Sequence, residues 1–254
     1  MVLKNTFKFS KRNDITFEGE KFSVGANEVS CTLTTDSLSQ KGSPPKAGQC
    51  TIVERFNSRW DVKDLIDVKE VQKALSKKST LAALASASSV DKILDLLALS
   101  EIRMLADYSE FQAQTFKKGH ILSQSLGGPG TNQNLTPMSA SANAIYRNSF
   151  EAKLIKLLEA IKKEEQQSGY CVRIKFYAKC VGNKKPWWNG QATEETKRML
   201  RGLPKSIDAN WRFDSFFRKG KTSERIAKSA LPPSVAKKMP VATKIKPPNF
   251  SLDL

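Results

Sequence analysis

Residues 111–151 read FQAQTFKKGHILSQSLGGPGTNQNLTPMSASANAIYRNSFE, and this run carries more local structural information than any other part of the 254-residue chain. Its first third, from Phe111 to Leu122, reads as a strand that ends in Lys117-Lys118-Gly119-His120. A glycine-rich connector follows, Leu126-Gly127-Gly128-Pro129-Gly130, and then a short extended piece from Asn134 to Met138. Beyond Ser141 the pattern changes period. Ile145, Phe150, Leu154, Leu157, Leu158 and Ile161 recur at helical spacing, which predicts one long amphipathic helix to about Glu165. Strand, loop, short strand and helix in this order predict an α+β fold.

Next comes a segment of strict alternation, 171–180. Val172, Ile174, Phe176 and Ala178 share one face, while Arg173, Lys175 and Lys179 share the other with Tyr177. A half-buried strand with a basic outer face is the expectation. Upstream, residues 1–57 alternate in short pieces (Phe7, Phe9; Ile15, Phe17; Val29, Cys31, Leu33), and 39–48, SQKGSPPKAG, is a loop by composition. Residues 61–76 and 90–105 have helical spacing. The Lys- and Pro-rich stretch after about residue 215 is expected to be loosely ordered. The division predicted is therefore 1–107, a strand-plus-helix region of unassigned role; 108–214, the domain carrying the chemistry; and 215–254, a basic tail.

The chain has 42 Lys and Arg against 25 Asp and Glu, a formal charge of +17, and 39% hydrophobic residues. It can bury a core, and its charge calls for polyanionic partners, with nucleic acid ahead of a membrane surface. The excess has an address: the net is +2 over 1–107, +8 over 108–203 and +7 over 204–254. One histidine and four cysteines without a CxxC pair do not supply a typical zinc cage. Any histidine chemistry must belong to His120. Cys171 and Cys180 are too far apart along a strand to bridge, a Cys31–Cys50 bridge is left open, and free thiols in a reducing compartment are the favoured reading. No secretory signal opens the sequence and no run reaches the roughly 20 apolar residues of a membrane span, so a soluble, cytoplasmic chain is expected, leaving its cell only by a signal-independent route.

Gly119-His120, then Asn134-Leu135-Thr136-Pro137, then Asn143, then Glu151 resembles the DNA/RNA non-specific endonuclease family of ββα-metal (His-Me finger) nucleases. The run SLGGPGTNQNLTPM looks like the branch found as toxin modules of bacterial antagonism systems. The resemblance covers roughly residues 108–190. It implies a ββα-metal finger packed on a small sheet, and a metal-dependent, largely sequence-nonspecific endonuclease acting on DNA, with the preference between DNA and RNA left open. In the role of toxin or effector, the producing cell would need an immunity protein of acidic character.

The resemblance also assigns roles. His120 is the general base, Asn143 the ligand of a magnesium ion (Mg²⁺, with other divalent metals as substitutes), and Glu151 orders the waters of that metal. The residue types suit the reaction. Hydrolysis of a phosphodiester needs a base for the attacking water and positive charge on the phosphoryl and leaving oxygens, and a histidine titrates near neutrality. Mg²⁺ takes few protein oxygens and keeps most of its water shell. Asn143, Arg147 and Glu151, at i, i+4 and i+8, fall on one side of a helix, placing Arg147 beside the metal as a phosphate contact. Asn134 is read as a fastener of the loop through backbone hydrogen bonds.

The family pattern is departed from twice. Lys118 stands where the family has Arg, keeping the charge without the bidentate fork. Ile155 stands where a further Arg is usual, leaving Lys153 or Lys156 as substitutes. Lys117, Arg173, Lys175 and Lys179 are the expected nucleic-acid contacts, and Trp187 and Trp188 are read as core aromatics with base stacking as the other role. A nucleic-acid-binding protein that keeps the finger without cutting is the competing reading.

Overall fold

The computed structural model describes residues 6–58, 115–183, 194–221, 223–248 and 250–254. The helices expected over 61–76 and 90–105, and Trp187 and Trp188, lie outside the described residues. Five strands form one antiparallel sheet in the order β1 (Thr6–Lys11), β4 (Ala26–Leu33), β7 (Tyr170–Val181), β8 (Ser206–Arg218), β9 (Phe250–Asp253). A small hairpin, β2 (Ile15–Phe17) with β3 (Glu20–Phe22), connects β1 to β4, and α1 (Ile52–Asn57) follows the loop after β4. The stretch quoted first forms a separate antiparallel pair, β5 (Phe116–His120) with β6 (Leu135–Ser139). It continues without a break into α2 (Ala140–Tyr146), a single π-helical turn (Arg147–Glu151) and α3 (Ala152–Ser168). Helices α4 (Glu194–Leu200), α5 (Pro233–Lys238) and α6 (Pro240–Thr243), with short 3-10 turns at Thr35–Ser39, Gln124–Leu126 and Lys228–Ala230, complete the described elements. The chain is thus α+β, as the sequence patterning predicts.

The alternation in β7 explains how helix meets sheet. Val172, Ile174, Phe176 and Ala178 are buried on one face, against Phe150, Leu154, Leu158 and Ile161 of the helix. Phe150 is the pivot, with its ring 4.8 Å from Trp211 and 6.1 Å from Phe176. Apolar side chains at period two on the strand and at helical spacing on the helix form one dry layer between them. α3 ends where its chain requires a left-handed residue: Gly169 has φ +71° and returns its N–H to the Glu165 carbonyl.

Two expectations about the chain's division are corrected. The sheet runs across both expected boundaries. β4, from the N-terminal region, pairs with β7 from Glu28↔Lys179 to Leu33↔Ile174, and β9, from the tail, pairs with β8 from Ser206↔Asp253 to Ala209↔Phe250. The tail is also built rather than loose. Leu231, Met239, Ala242 and Leu254 are buried, and the Glu164 carboxylate of α3 accepts the N–H groups of Val241 (2.6 Å) and Ala242 (3.0 Å) at the start of α6. Widely spaced apolar residues among lysines and prolines lower the average hydrophobicity of the segment without removing its anchors.

Candidate active site

β5 and β6 place the site. Asn57, at the end of α1, pins the start of β5 by receiving the Phe116 N–H (2.7 Å) and donating to the Phe116 carbonyl (2.9 Å). His120 closes the strand. Its Nε2 lies 2.9 Å from the Ser43 carbonyl, which only accepts, so this ring nitrogen is the donor. Burial lowers the pKa of His120 from its ordinary 6.5, against the opposing effect of the Ser43 carbonyl. The ring is therefore neutral at neutral pH, with Nδ1 carrying a lone pair.

Asn143 reaches the same place from α2. Ser139 caps that helix by accepting the Ala142 N–H at 3.2 Å, fixing where the helix starts beside β6. A Cβ on Gly119 would lie 3.0 Å from Asn143 Oδ1 and 2.6 Å from Met138 Sδ. The glycine of the Gly-His pair thus makes room for the Asn143 amide to close on the strand next to His120. Tyr146, fully buried, fastens the other side of α2 by donating to the Ile121 carbonyl at 2.7 Å.

Glu151 ends the π-helical turn. Such turns interrupt the regular helical rotation and recur at functional sites. The sequence argument assumed an unbroken α-helix; despite the turn, Asn143, Arg147 and Glu151 line one cleft of about 590 Å³, with His120, Lys118, Ser123 and Ile155. Burial pushes the Glu151 carboxyl up to about 8, more than Arg147 and a hydrogen bond with Ser123 pull it down. Its Oε1 is buried without a hydrogen-bond partner. Buried polar atoms are normally satisfied, which makes this oxygen an exception in the described structure.

No known relative was found. Comparison with protein-family models, with curated proteins and with solved structures gave no match.

The donor set can be tested against a metal ion directly. Among the described residues no three His, Cys, Asp or Glu side chains group together as an all-protein cage. Asn143 and Glu151 instead line one cleft, and two oxygen-bearing side chains are the sparse set that suits Mg²⁺ with retained water. A structural zinc site would need four ligands, mostly sulfur or imidazole. The four cysteines, Cys31, Cys50, Cys171 and Cys180, are free thiols, so Cys31 and Cys50 are not bridged.

The remaining expected residues are placed differently. Lys118 lines the cleft, but its Nζ is 2.6 Å from Glu54 Oε1, an ion pair supplied by α1. Lys117 is exposed one residue earlier on β5 and does not line the cleft. Arg173, Lys175 and Lys179 do not line it either. Arg173 is corrected: its guanidinium lies over the Phe217 ring, 4.4 Å to the centroid, and donates to the Glu224 carbonyl at 3.0 Å, so neighbouring chain covers it. It is 9% exposed, so the basic outer face of β7 is shorter than the alternation implies. Lys175 pairs with Asp214 at 3.1 Å, and Lys179 sits in register between Glu28 and Asp208.

Asn134 does what its position suggests. Its Oδ1 accepts the Leu122 N–H (2.8 Å), and its amide donates to the carbonyls of Leu122 (3.0 Å) and Pro129 (3.1 Å). Three contributors went unread in the sequence. Ser123 follows His120 closely enough to have been suspected; Glu54 and the carbonyl of Ser43 lie in stretches with no motif of their own.

Proposed function

We propose that this chain is a metal-dependent endonuclease of the ββα-metal type, hydrolysing phosphodiester bonds of DNA with little sequence preference, RNA being the other substrate to test. One observation carries the reading: side chains from three elements, His120 of β5, Asn143 of α2 and Glu151 of the π-helical turn, meet in a single cleft, and the Glu151 carboxyl keeps one buried oxygen unpartnered. In this reading the β5–β6 pair and the helix after it are the finger.

The chain's own residues divide the work. His120, neutral and partly buried, removes a proton from the attacking water. Asn143 Oδ1 and Glu151, directly or through water, hold Mg²⁺, which when bound places positive charge on the phosphoryl and leaving oxygens. Arg147, exposed at the cleft rim, grips a neighbouring phosphate through its planar guanidinium. Lys118 contributes once substrate phosphate competes with Glu54 for its ammonium. Excess positive charge beyond residue 107 attracts the polyanion.

A second reading, a nucleic-acid-binding protein that does not cut, is favoured by two features of the same cleft: Lys118 is already paired with Glu54, and the wall carries Ile155 where a clamping arginine would stand. Incubating plasmid DNA and total RNA with the purified chain, with Mg²⁺ or with a chelator, separates the two. The nuclease reading expects degradation that the chelator abolishes. Intact substrate with a retarded gel band would replace it with the binding reading. An antibacterial effector role, with an acidic immunity protein covering the basic cleft, is the biological setting proposed.

A further inference from the structure

The cleft is built from elements packed on one side of the five-stranded sheet, the side that buries Val172, Ile174, Phe176 and Ala178. The opposite side is polar, and strand register orders it in rows. Thr6, Thr32, Lys175 and Arg212 stand side by side across β1, β4, β7 and β8, and the next row is Lys8, Ser30, Tyr177 and Asn210. Most of these residues, joined by Arg225 from the segment after β8, line a groove of about 580 Å³. None of the described residues that line it is acidic.

Its four cations, Lys8, Lys175, Arg212 and Arg225, come from three strands and a connecting segment, so a charge count along the chain does not show them as a group. Among the described residues one carboxylate pairs with them: Asp214 lies 3.1 Å from Lys175 and 3.9 Å from Arg225. Its side chain is 9% exposed, against 43% for Lys175 and 67% for Arg225, so the positive charges face water and the negative one does not. Lys8 and Arg212 are exposed and form no ion pair among the described residues. One row further on, Glu28 and Asp208 flank Lys179 in register, and Glu28 also takes a hydrogen bond from the Tyr177 phenol. That row ends the basic stretch.

Positive charge calls for an anionic partner, and the side chains around it decide which kind. Protein interfaces have an apolar centre. The large apolar side chains exposed among the described residues, Phe9, Ile145 and Val241, are all elsewhere: Phe9 has the other parity of β1, opposite Val29, and the other two belong to α2 and α6. The groove offers the hydroxyls of Ser30 and Thr32 and the amide of Asn210 around a single ring, Tyr177. Nucleic-acid interfaces are polar and strongly positive, and an aromatic ring among cations takes an unpaired base by stacking.

We infer that this sheet face is a second nucleic-acid-binding surface, separate from the cleft: a single strand lays its phosphates on Lys8, Lys175, Arg212 and Arg225 and stacks a base on Tyr177. The occupant is single-stranded because a duplex keeps its base faces covered. The inference does not depend on the reading of the cleft, since a polymer is held here whether or not it is cut on the other side of the sheet.

The test uses the full chain with a chelator present, so that no cutting intervenes, and a labelled oligothymidylate followed by fluorescence anisotropy. Lys8→Glu/Arg212→Glu should weaken binding about 10-fold or more and flatten the salt dependence by about 1.4 in log–log slope, two phosphate contacts at about 0.7 each. Lys237→Glu/Lys238→Glu removes the same charge from α5, which packs on α3 on the other side of the sheet, and should cost less than about 3-fold because distant exposed charges are screened. Equal losses in the two variants would show that net charge alone acts and would overturn the site. Tyr177→Ala should weaken binding about 5-fold or more, the worth of stacking one base, while Tyr177→Phe keeps the ring and the affinity. Should Tyr177→Ala fail to fold, the exposed Lys8 and Arg212 positions decide alone. Polyglutamate in the same assay tests an acidic protein as occupant. A chain that holds polyglutamate as tightly as oligothymidylate, with Tyr177→Ala unchanged toward both, would assign the face to such a protein and overturn the proposal. All of these outcomes are read without catalysis, so intact plasmid in the cutting assay would reject the nuclease reading alone.

Discussion

His120 joins an ordinary side chain to an environment that prepares it. Because burial lowers its pKa below 6.5, the acid limb of the rate profile should fall off at a pH below 6.5, where the ring protonates and no longer accepts a proton. Initial rates on plasmid DNA between pH 5 and 8 measure this, and a midpoint above 6.5 would contradict it. His120→Ala should cost at least about 10²-fold at pH 7.5, the usual worth of a general base. A second buried group predicts behaviour away from the site. Glu165 accepts hydrogen bonds from Thr35 Oγ1 and from the Val172 N–H (2.7 Å), yet burial raises its carboxyl from 4.5 to about 7. Between those values the folded chain keeps a proton that the unfolded chain has released, so stability falls as pH rises through the window and is level above it. Glu165→Gln keeps an acceptor for Val172 and an amide for Thr35. It should leave the urea midpoint near pH 4.5 unchanged and raise stability at pH 7.5 by on the order of 1–2 kcal/mol. An equal effect at both pH values would show that the carboxyl does not titrate there. Part of the downward slope should survive in this variant, because Glu151, raised to about 8, acts with the same sign.

At the scale of elements, what the sequence disclosed follows from where side chains carry the signal. β7 was legible because one face meets a helix and the other meets water, which forces period two on its composition. The long helix was legible for the corresponding reason. Its π-helical turn was not, since one extra residue in the rotation leaves Leu154, Leu158 and Ile161 at helical spacing beyond it. Arg173 misled because Phe217 and the chain at Glu224 cover it, contacts that alternation within β7 does not encode. The site divides in the same way. His120, Asn143, Arg147 and Glu151 act through side chains and could be named in advance, whereas Ser43 acts through a carbonyl that every residue possesses. Asn134 shows a side chain doing backbone work, holding both ends of the loop between β5 and β6. Asn134→Ala leaves the Leu122 N–H and two carbonyls without their partner in a buried setting, and should destabilise the chain by about 2–3 kcal/mol. Urea denaturation checks this; a loss under about 0.5 kcal/mol, the range of ordinary surface substitutions, would mean the loop is held by other means.

Over the whole molecule, charge and connectivity make separate demands. The surplus of +17 is spread over many elements, and several of its members are already paired: Lys118 with Glu54, Lys175 with Asp214, Lys197 with Glu194. If the unpaired remainder grips a nucleic-acid backbone, affinity should drop steeply between about 50 and 200 mM salt, as counterion release requires. A flat dependence in a filter-binding titration would mean the surplus serves solubility alone. Connectivity bears on the site through the last strand. β9 pairs with the start of β8, and its Phe250 packs 5.0 Å from Phe150 and 5.7 Å from Tyr146, the rings that seat the helix bearing Asn143 and Glu151. Leu254 is buried and returns its N–H to the Lys205 carbonyl at 2.9 Å. A strand 130 residues from His120 in sequence is thus the backing of the cleft. Ending the chain after Pro248 should therefore lower stability by about 3 kcal/mol or more, the scale of removing a large packed aromatic. It should also reduce activity below the melting temperature, because Tyr146 and Phe150 lose the ring that holds them. A chain shortened in this way that melts and cuts like the full-length one would reduce β9 to an appendage and leave α2 and the π-helical turn to be positioned by β7 and β8 alone.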